Sequence, residues 1–131
     1  MQTPNKTMPT PVPGQFYSAE VFARLVQRFK ETPVTDLHQR WLLLEAAHVL
    51  GQTRLSPHLQ VHGFMLALAW ETRAVREVLG QVFRLALVPL GHLLGRLPLG
   101  NSGRANISAF QVMQPSPDIL KVIDEARSPR A

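Results

Sequence analysis

The chain contains no cysteine among its 131 residues. Disulfides, thiolate zinc sites, iron–sulfur clusters and cysteine nucleophiles are therefore excluded. A chain without cysteine is compatible with a reducing compartment, and we expect a cytoplasmic protein. The length, together with a hydrophobic share of 45%, suits one compact domain of ordinary size.

Runs of basic residues are also absent, although the chain is basic overall. Fourteen Lys and Arg against nine Asp and Glu give a formal net charge of +5. The cations are spread along the sequence and form no stripe of the kind that binds nucleic acid. We therefore expect no specific nucleic-acid partner.

The sequence has no apolar segment that is long and clean enough to predict a membrane span. Its most apolar stretch is residues 82–99, which contains Arg84, His92, Arg96 and Pro89. A span needs about 20 predominantly apolar residues. We interpret this stretch as buried helix and predict no transmembrane span.

Strand alternation is missing too, and the patterns that remain are helical. Four segments between residues 16 and 99 carry apolar residues at helical spacing, separated by proline, glycine and cap signals. A Gly/Asn-rich loop over 100–116 leads to a last helix opened by Ser116 and Pro117. The sequence predicts an all-α fold, a small helical bundle of antiparallel helix hairpins. It would contain about four helices in a tetratricopeptide-like arrangement, plus the Gly/Asn loop and a C-terminal helix.

The predicted domain organisation is simple. Residues 1–15 contain four prolines and no apolar signal core, so we predict a disordered Pro-rich arm. Residues 16–127 form a single helical domain in this prediction, and residues 128–131 form a tail.

The fourth helix is predicted to pack by its aliphatic side chains. We place its apolar face at Val75, Val78, Leu79 and Val82, and we expect Pro89 to kink or end the helix.

Two pairs of metal-capable side chains flank the predicted turn between the second and third helices. Glu45 and His48 stand three apart just before Gly51, and His58 and His62 stand four apart just after it. Each spacing places a pair on one face of its helix. If the helices fold back on each other, all four groups lie at a similar height.

These residue types suit a transition metal. Neutral imidazole is the commonest protein metal ligand, and three His with one carboxylate fit zinc, iron, nickel or copper. His48, His58 and His62 would supply three nitrogens, with Glu45 as a fourth ligand or as the carboxylate that orients a His. The sequence thus predicts one bound transition-metal ion.

The same four residues also allow a simpler interpretation. His48 would occupy the last turn of its helix, where the helix dipole favours a protonated imidazole. His58 would be a solvated residue in a first turn, and His62 would form a buried hydrogen bond with Glu45 without any metal.

A ferritin-like di-iron centre is less favoured, because it needs two Glu-x-x-His motifs and the chain has one. Glu20 would approach the same layer if the first two helices are antiparallel.

Three polar residues of the fourth helix are candidates for a supporting role. Glu77, Gln81 and Arg84 form an i, i+4, i+7 row. Counted from the turn between the third and fourth helices, Gln81 and Arg84 come level with His62 and His58. The alternative is a solvated face or a structural Arg–Glu pair.

The Gly/Asn loop offers one more candidate site. Asn101, Gly103 and Asn106 would present backbone amides to an anion. The alternative is a plain turn in which glycine supplies a positive φ. His38 and His92 stand alone in the sequence, and we interpret them as surface or loosely packed residues.

Four blocks of the sequence resemble a family of small bacterial proteins that is catalogued only as a domain of unknown function. They are LEAAHVLGQ at 44–52, HxxxHxxML at 58–66, EVxGQxxR at 77–84 and PxGNSGxAN at 98–106. In that family the corresponding blocks resemble LERAHILGQ, HxxxHxxML, EVxGQxxR and PxGNTGGANV.

The resemblance covers roughly residues 40–120 and departs from the family pattern at two places. Ser102 stands where the family often has Thr, and Arg104 stands where it often has Gly. The resemblance supports the importance of the His/Glu residues, of Glu77 and Gln81, and of the 100–106 loop. It implies no established activity.

Three functions remain open at this point. We favour a small metal-binding protein with an accessory role in metal handling. The alternative is a non-catalytic helical interaction module, in which the His/Glu cluster only specifies packing and a protein partner contacts an exposed apolar groove. A small metalloenzyme comes third, since it would need an open coordination position, and an enzyme is therefore less favoured. The pattern points to no particular oligomeric state.

Overall fold

The computed structural model describes residues 17–97 and 99–128. This part of the chain contains five helices and no strand, which confirms the all-α prediction. The helices are α1 (Ala19–Glu31), α2 (Leu37–Gly51), α3 (Leu55–Glu71), α4 (Val75–Leu94) and α5 (Pro117–Arg127). The predicted arm at 1–15 and most of the predicted tail at 128–131 lie outside the described residues.

Helices α1, α2 and α5 pack together around an apolar interior. Ser18 caps α1 by accepting a hydrogen bond from the Val21 amide, and Asp36 caps α2 by accepting one from the Gln39 amide. The buried aliphatic and aromatic residues of these three helices are Val21, Phe22, Leu25, Phe29, Trp41, Leu43, Leu44, Ala46, Ala47, Val49, Leu50, Ile119, Val122, Ile123 and Ala126.

The predicted start of α5 is confirmed. The Ser116 hydroxyl accepts a hydrogen bond from the Ile119 amide, and Pro117 is the first helical residue. Proline is favoured there because its missing N–H has no intrahelical partner at that position. This helix returns the chain to α1 and α2 after the long loop.

A short connection joins α2 to α3. Gly51 is the last residue of α2 rather than a residue beyond it, and three residues, 52–54, separate the helices. Helix α3 begins at Leu55, one residue before the predicted cap at Ser56. The ends of the two helices are therefore held close to each other.

Helix α4 buries the face opposite to the one predicted. Three of the residues placed on its apolar face are largely exposed, namely Val75, Leu79 and Val82, and only Val78 packs partly against the core. The buried side chains of this helix are Glu77, Gln81, Arg84 and Val88. The surface that α4 meets is polar, since it consists of histidines of α3 and backbone carbonyl groups of the loop, so the polar face turns inward.

The same helix runs through Pro89 and ends only at Leu94, where Gly95 adopts a left-handed conformation with φ of 66°. A proline removes one helical hydrogen bond but does not end α4 here. By length and composition alone, Val75–Leu94 is the one helix in the described part of the chain that would be able to cross a membrane. Its polar face nevertheless packs on α3 and the loop.

Candidate metal centre

Three histidines meet beside the α2–α3 connection. His48 lies in the last turn of α2, and His58 and His62 lie in the first two turns of α3. Their ring centroids are 4.8 to 5.0 Å apart, and each residue is at most 3% exposed. One potential ligand atom from each histidine lies within 4.8 Å of the other two. The expected convergence of the imidazoles is therefore present.

The hydrogen bonds of His48 and His62 fix their tautomers. His48 Nδ1 lies 2.7 Å from the backbone oxygen of Asn101, which only accepts, so Nδ1 carries the proton. His62 Nδ1 lies 2.6 Å from Gln81 Oε1, which also accepts. The amide of Gln81 is correctly oriented for this role, because its Nε2 donates to Glu77 Oε1 and to the Gly103 carbonyl. In both histidines Nε2 is left with a lone pair.

The third histidine has the same arrangement. Nδ1 of His58 lies 3.0 Å from Nε2 of His92, and the backbone of Gln52 forms a further hydrogen bond with His58. Its Nε2 lies 3.1 Å from Nε2 of His48. All three Nδ1 atoms are thus engaged outside the cluster, and the Nε2 atoms face one another.

This arrangement could hold a cation at the centre. Nε2 of His48 and Nε2 of His62 are 3.2 Å apart, and with both protons on Nδ1 no hydrogen bond joins them. Two lone pairs at that distance repel each other unless a positive ion lies between them. A zinc ion with bonds of about 2.0–2.1 Å in tetrahedral geometry would set its ligand nitrogens about 3.3 Å apart, close to the 3.1 and 3.2 Å that separate His48 Nε2 from the Nε2 atoms of His58 and His62.

Burial keeps these imidazoles in the form that binds metal. Loss of solvent contact, followed by the neighbouring histidines, lowers the pKa of His48 well below its ordinary value. The same causes lower the pKa of His58 to about 3. Burial also lowers the pKa of His62 to about 4, although Gln81 partly opposes the shift. At neutral pH the site therefore consists of neutral imidazoles, and a proton is a poor candidate for the central cation.

A second layer of polar residues holds the ligands in place. Gln81 links His62 to Glu77 and to the loop, and the second partner of Glu77 is the backbone amide of Ala105 at 3.0 Å. Arg104 Nε lies 3.2 Å from Glu77 Oε1, an ion pair without hydrogen-bond alignment. Such outer contacts orient metal-ligating histidines and tune their basicity. The structure thus places Glu77 and Gln81 in the supporting position predicted for them.

The structure also buries Arg84, but among backbone groups. Its guanidinium donates to the carbonyls of Gly80 (3.2 Å) and Arg104 (2.9 Å) and to that of Ile107. Arg84 therefore fixes the loop on α4 and makes no hydrogen bond to a histidine. The alternative of a solvated face does not apply, since the whole polar row is buried.

Glu45 does not join the histidines. Its carboxylate pairs with Arg104 at 3.2 Å, and it lies outside the group of three candidate ligands. Arg104 in turn stacks on the ring of Trp41 with its guanidinium carbon 3.7 Å from the ring centroid. The i,i+3 spacing turns Glu45 toward the loop, where the arginine neutralises it, so the structure does not support the prediction of a fourth ligand. The interpretation of a His62–Glu45 hydrogen bond fails for the same reason.

Glu20 is also remote from the cluster. It is exposed and pairs with Arg24 one turn later on α1. The prediction that it approaches the same layer is therefore wrong, because α1 directs this carboxylate into solvent.

The loop supports the cluster with carbonyl groups instead of amides. The carbonyls of Asn101 and Gly103 accept from His48 and Gln81. The amide of Gly103 is already used by Asn101 Oδ1 at 2.9 Å. A surface of acceptors repels an anion, so the predicted anion site is not supported, and Asn106 lies exposed away from the cluster.

Glycine is required at position 103 for a close approach. Gly103 has a φ of 84°, and a β-carbon there would lie 2.7 Å from a ring carbon of His48. The loop therefore lies directly against the imidazole. The alternative interpretation, that glycine supplies a positive φ, is confirmed for this residue.

His92 is the neighbour of the cluster that the sequence analysis missed, since its Nε2 lies 3.0 Å from Nδ1 of His58. It lies four residues, about one helical turn, beyond Val88. Gln81, Arg84, Val88 and His92 follow one another at spacings of three or four residues and share the inward face of α4. Extending the polar row along the helix would have identified it. The interpretation of His92 as a lone, loosely packed residue was therefore wrong.

One side of the cluster opens to a cavity of about 600 Å³. The three histidines form part of its wall, and α4 and the loop that follows it supply the rest. The other lining residues are Arg84, Leu87, Val88, Leu90, Gly91, Leu94, Gly95, Arg96, Leu97, Asn101, Gly103, Ala109, Phe110 and Val112. An ion held by three nitrogens would therefore have access to further ligands from this side.

The three imidazoles together can hold a metal ion, but the donor set does not select one metal over another. No curated protein and no solved structure matches the chain. A family model described as "Protein of unknown function (DUF3703)" matches residues 17–123. The chain therefore belongs to this family, as the resemblance of its sequence blocks had indicated.

Proposed function

We propose that the protein binds one transition-metal ion through Nε2 of His48, His58 and His62 and serves as an accessory protein in metal handling in the cytoplasm. The observation that carries this proposal is the pair of facing Nε2 lone pairs of His48 and His62, 3.2 Å apart. Each ring has its proton committed to an acceptor on its other side. A cation is the simplest partner for such a triangle, and burial disfavours a proton.

The composition of the cluster is consistent with zinc, ferrous iron, nickel or copper. All four metals accept imidazole nitrogen, and three protein ligands with an open position are typical of exchangeable or catalytic sites. A closed structural site would have a fourth protein ligand instead. The three-ligand arrangement therefore suits an ion that is taken up and passed on.

Elemental analysis tests the proposal directly. Untagged protein purified without chelator is expected to retain about one transition-metal ion per chain, and the double variant His58→Ala/His62→Ala is expected to retain almost none, because a single imidazole remains. His38→Ala is the matched control, since His38 is exposed on α2, away from the cluster.

Absence of metal from the wild-type protein, together with no thermal shift on adding zinc, iron, nickel or copper, would refute the proposal. Circular dichroism of the double variant separates loss of ligands from loss of fold. If the variant unfolds, titration of folded wild-type protein with each metal still gives the stoichiometry.

A helical interaction module is the competing proposal. The outward face of α4 favours it, because the exposed side chains of Leu79, Val82 and Leu93 form an apolar surface. This hypothesis predicts that the histidine variants change stability but not the content of any ion. The metal measurement therefore discriminates between the two proposals.

A metalloenzyme is favoured only by the open side of the cluster. The lining of the cavity contains no carboxylate that would act as a general base. We therefore place binding ahead of catalysis.

A further inference from the structure

We propose that the cavity beside the histidines binds an amphiphilic carboxylate, whose head group completes the coordination of the metal ion and whose apolar body fills the cavity. This inference rests on the proposed metal site. It adds the chemical class of the molecule that shares the ion with the protein.

The charge of the site calls for an anion. Three neutral imidazoles leave the full double charge on a divalent ion, and no acidic residue lines the cavity. Arg84 and Arg96 add two further positive charges to the wall. Among the described residues nearby, the carboxylates of Glu45 and Glu77 are turned away and paired with Arg104. An uncompensated charge in a largely enclosed site is unfavourable, so an anionic ligand would be strongly favoured.

The position of the cavity points to coordination by the ligand itself. His48, His58 and His62 all contribute to its wall, and their Nδ1 atoms are already engaged by Asn101, His92 and Gln81. A fourth ligand can therefore approach the ion from the cavity side. A carboxylate oxygen is a suitable donor for each of the candidate metals.

The rest of the wall selects the body of the molecule. Leucine, valine, alanine and phenylalanine side chains make up most of it, contributed by Leu87, Val88, Leu97, Ala109 and Phe110 among others. The volume of about 600 Å³ lies within the range of about 300–1,000 Å³ that is usual for small-molecule sites. A hydrocarbon chain or aromatic ring gains from burial there, while a small hydrated anion such as phosphate leaves the apolar wall uncovered.

Cobalt(II) is a suitable probe, because its visible spectrum reports changes in its ligands. Protein loaded with cobalt is titrated with octanoate and, separately, with 1-octanol, which has a similar chain and no negative charge. The cobalt content of each sample is measured in parallel. We expect octanoate to change the spectrum and to bind at least about tenfold more tightly than 1-octanol.

A matched pair of variants locates the binding. Ala109→Trp places a large side chain in the cavity from a loop, and we expect it to weaken octanoate binding by about tenfold or more. Ala86→Trp makes the same change at an exposed position of α4 outside the cavity and is expected to have no effect. Both variants should retain cobalt like the wild type.

The outcomes separate the two proposals. Bound cobalt with no response to octanoate, an equal response to 1-octanol, or equal octanoate binding in the presence and absence of cobalt would each overturn the carboxylate proposal and leave the metal site intact. Failure of the protein to retain cobalt or any other metal would overturn both proposals, and the parallel metal measurement identifies that case.

Discussion

The interior of the molecule differs sharply between its two sides. Between α1, α2 and α5 the buried side chains are aliphatic or aromatic, with Leu25 and Leu44 fully buried at the centre. The apolar core extends into α3 through Val61, Met65, Leu68 and Ala69. Where α4 and the loop meet the histidines, the buried groups are mainly imidazoles, amides and charges, and Val88 is the one fully apolar side chain that α4 buries in the described part of the chain. One side has the composition of a folding core, and the other has the composition of a binding site.

The polar side is expected to contribute less to the free energy of unfolding than the apolar side, and it carries the proposed metal site. A buried polar network is at best near neutral compared with well-packed apolar residues, and it is costly if any member lacks a partner. In the proposed site, a metal ion would relieve the repulsion between the facing Nε2 lone pairs of His48 and His62. We therefore expect metal binding, acidification and substitutions around the histidines to affect the polar side. Truncation of buried aliphatic residues should affect the apolar side.

Acidification should produce one of the largest effects, and it should act through the polar side. Above about pH 6.5 the imidazoles are neutral in both the folded and the unfolded protein. As the pH falls, the unfolded chain takes up protons at the ordinary value near 6.5, while the folded protein resists until about 3 for His58 and about 4 for His62. Stability is therefore lost as the pH falls.

For two of the three histidines, on the order of 3 kcal/mol of unfolding free energy should be lost between about pH 7.5 and about pH 5.5. We count His58 and His62, whose pKa values in the folded protein are about 3 and about 4. Glu45 acts in the opposite direction, since burial raises its pKa. Urea titrations of metal-free protein across this range measure the loss, and a flat profile would contradict the buried neutral triad.

Leu44→Ala should have a comparable effect on stability, through the apolar side. Leu44 is fully buried, and truncations of this kind cost about 2–5 kcal/mol of unfolding free energy. Metal content per folded chain should remain unchanged, because the substitution removes none of the proposed ligands, although Leu44 lies one helical turn before His48 on the same face of α2. Thermal unfolding and elemental analysis of the same sample provide both numbers, and loss of metal from folded variant would show that the two sides are not independent.

Gln81→Leu should have a smaller effect on the polar side. It removes the acceptor of the His62 Nδ1 proton while leaving every proposed ligand in place. Loss of such an outer contact typically lowers metal affinity by about 10–100-fold. Competition with a chromogenic chelator measures the affinity.

Gln81→Glu keeps an acceptor for His62 but loses the amide that donates to Glu77 Oε1 and to the Gly103 carbonyl. We expect it to retain more affinity than Gln81→Leu, with its fold checked by circular dichroism. Equal affinity in both variants would mean that an acceptor for the His62 proton contributes little to metal binding.

Glu20→Gln should have the smallest effect. The Glu20–Arg24 pair is exposed, and surface pairs of this kind contribute about 0–1 kcal/mol. Neither stability nor metal content should change measurably. A clear loss of metal would mean that Glu20 contributes to the metal site, which would contradict its observed position.

Much of the fold was predictable because it follows local rules. The apolar stripe of α1 and the cap of α5 appear in the sequence at helical spacing, and the structure confirms both. The convergence of His48, His58 and His62 was also predictable, since a turn of a few residues fixes their relative height. Information within about 15 residues was sufficient in each case.

The errors arose where a distant segment decides the environment. Helix α4 has an apolar face and a polar face, and sequence periodicity alone assigns the apolar face to the interior. The loop around Gly103 reverses that assignment by offering carbonyl groups to Gln81 and Arg84. The same loop carries Arg104, which draws Glu45 away from the histidines. No local pattern reports the docking of a loop 20 to 60 residues away.

The closeness of the three proposed ligands along the chain has a consequence for biosynthesis. They lie between residues 48 and 62, so an emerging polypeptide has them all before α4 and the loop exist. Closing so short a segment around an ion has a small entropic cost. The nascent hairpin would thus bind an ion weakly at first. Once α4 and the loop fold, Gln81 and Asn101 would orient the histidines and raise the affinity for the ion. Metal loading would therefore precede completion of the fold.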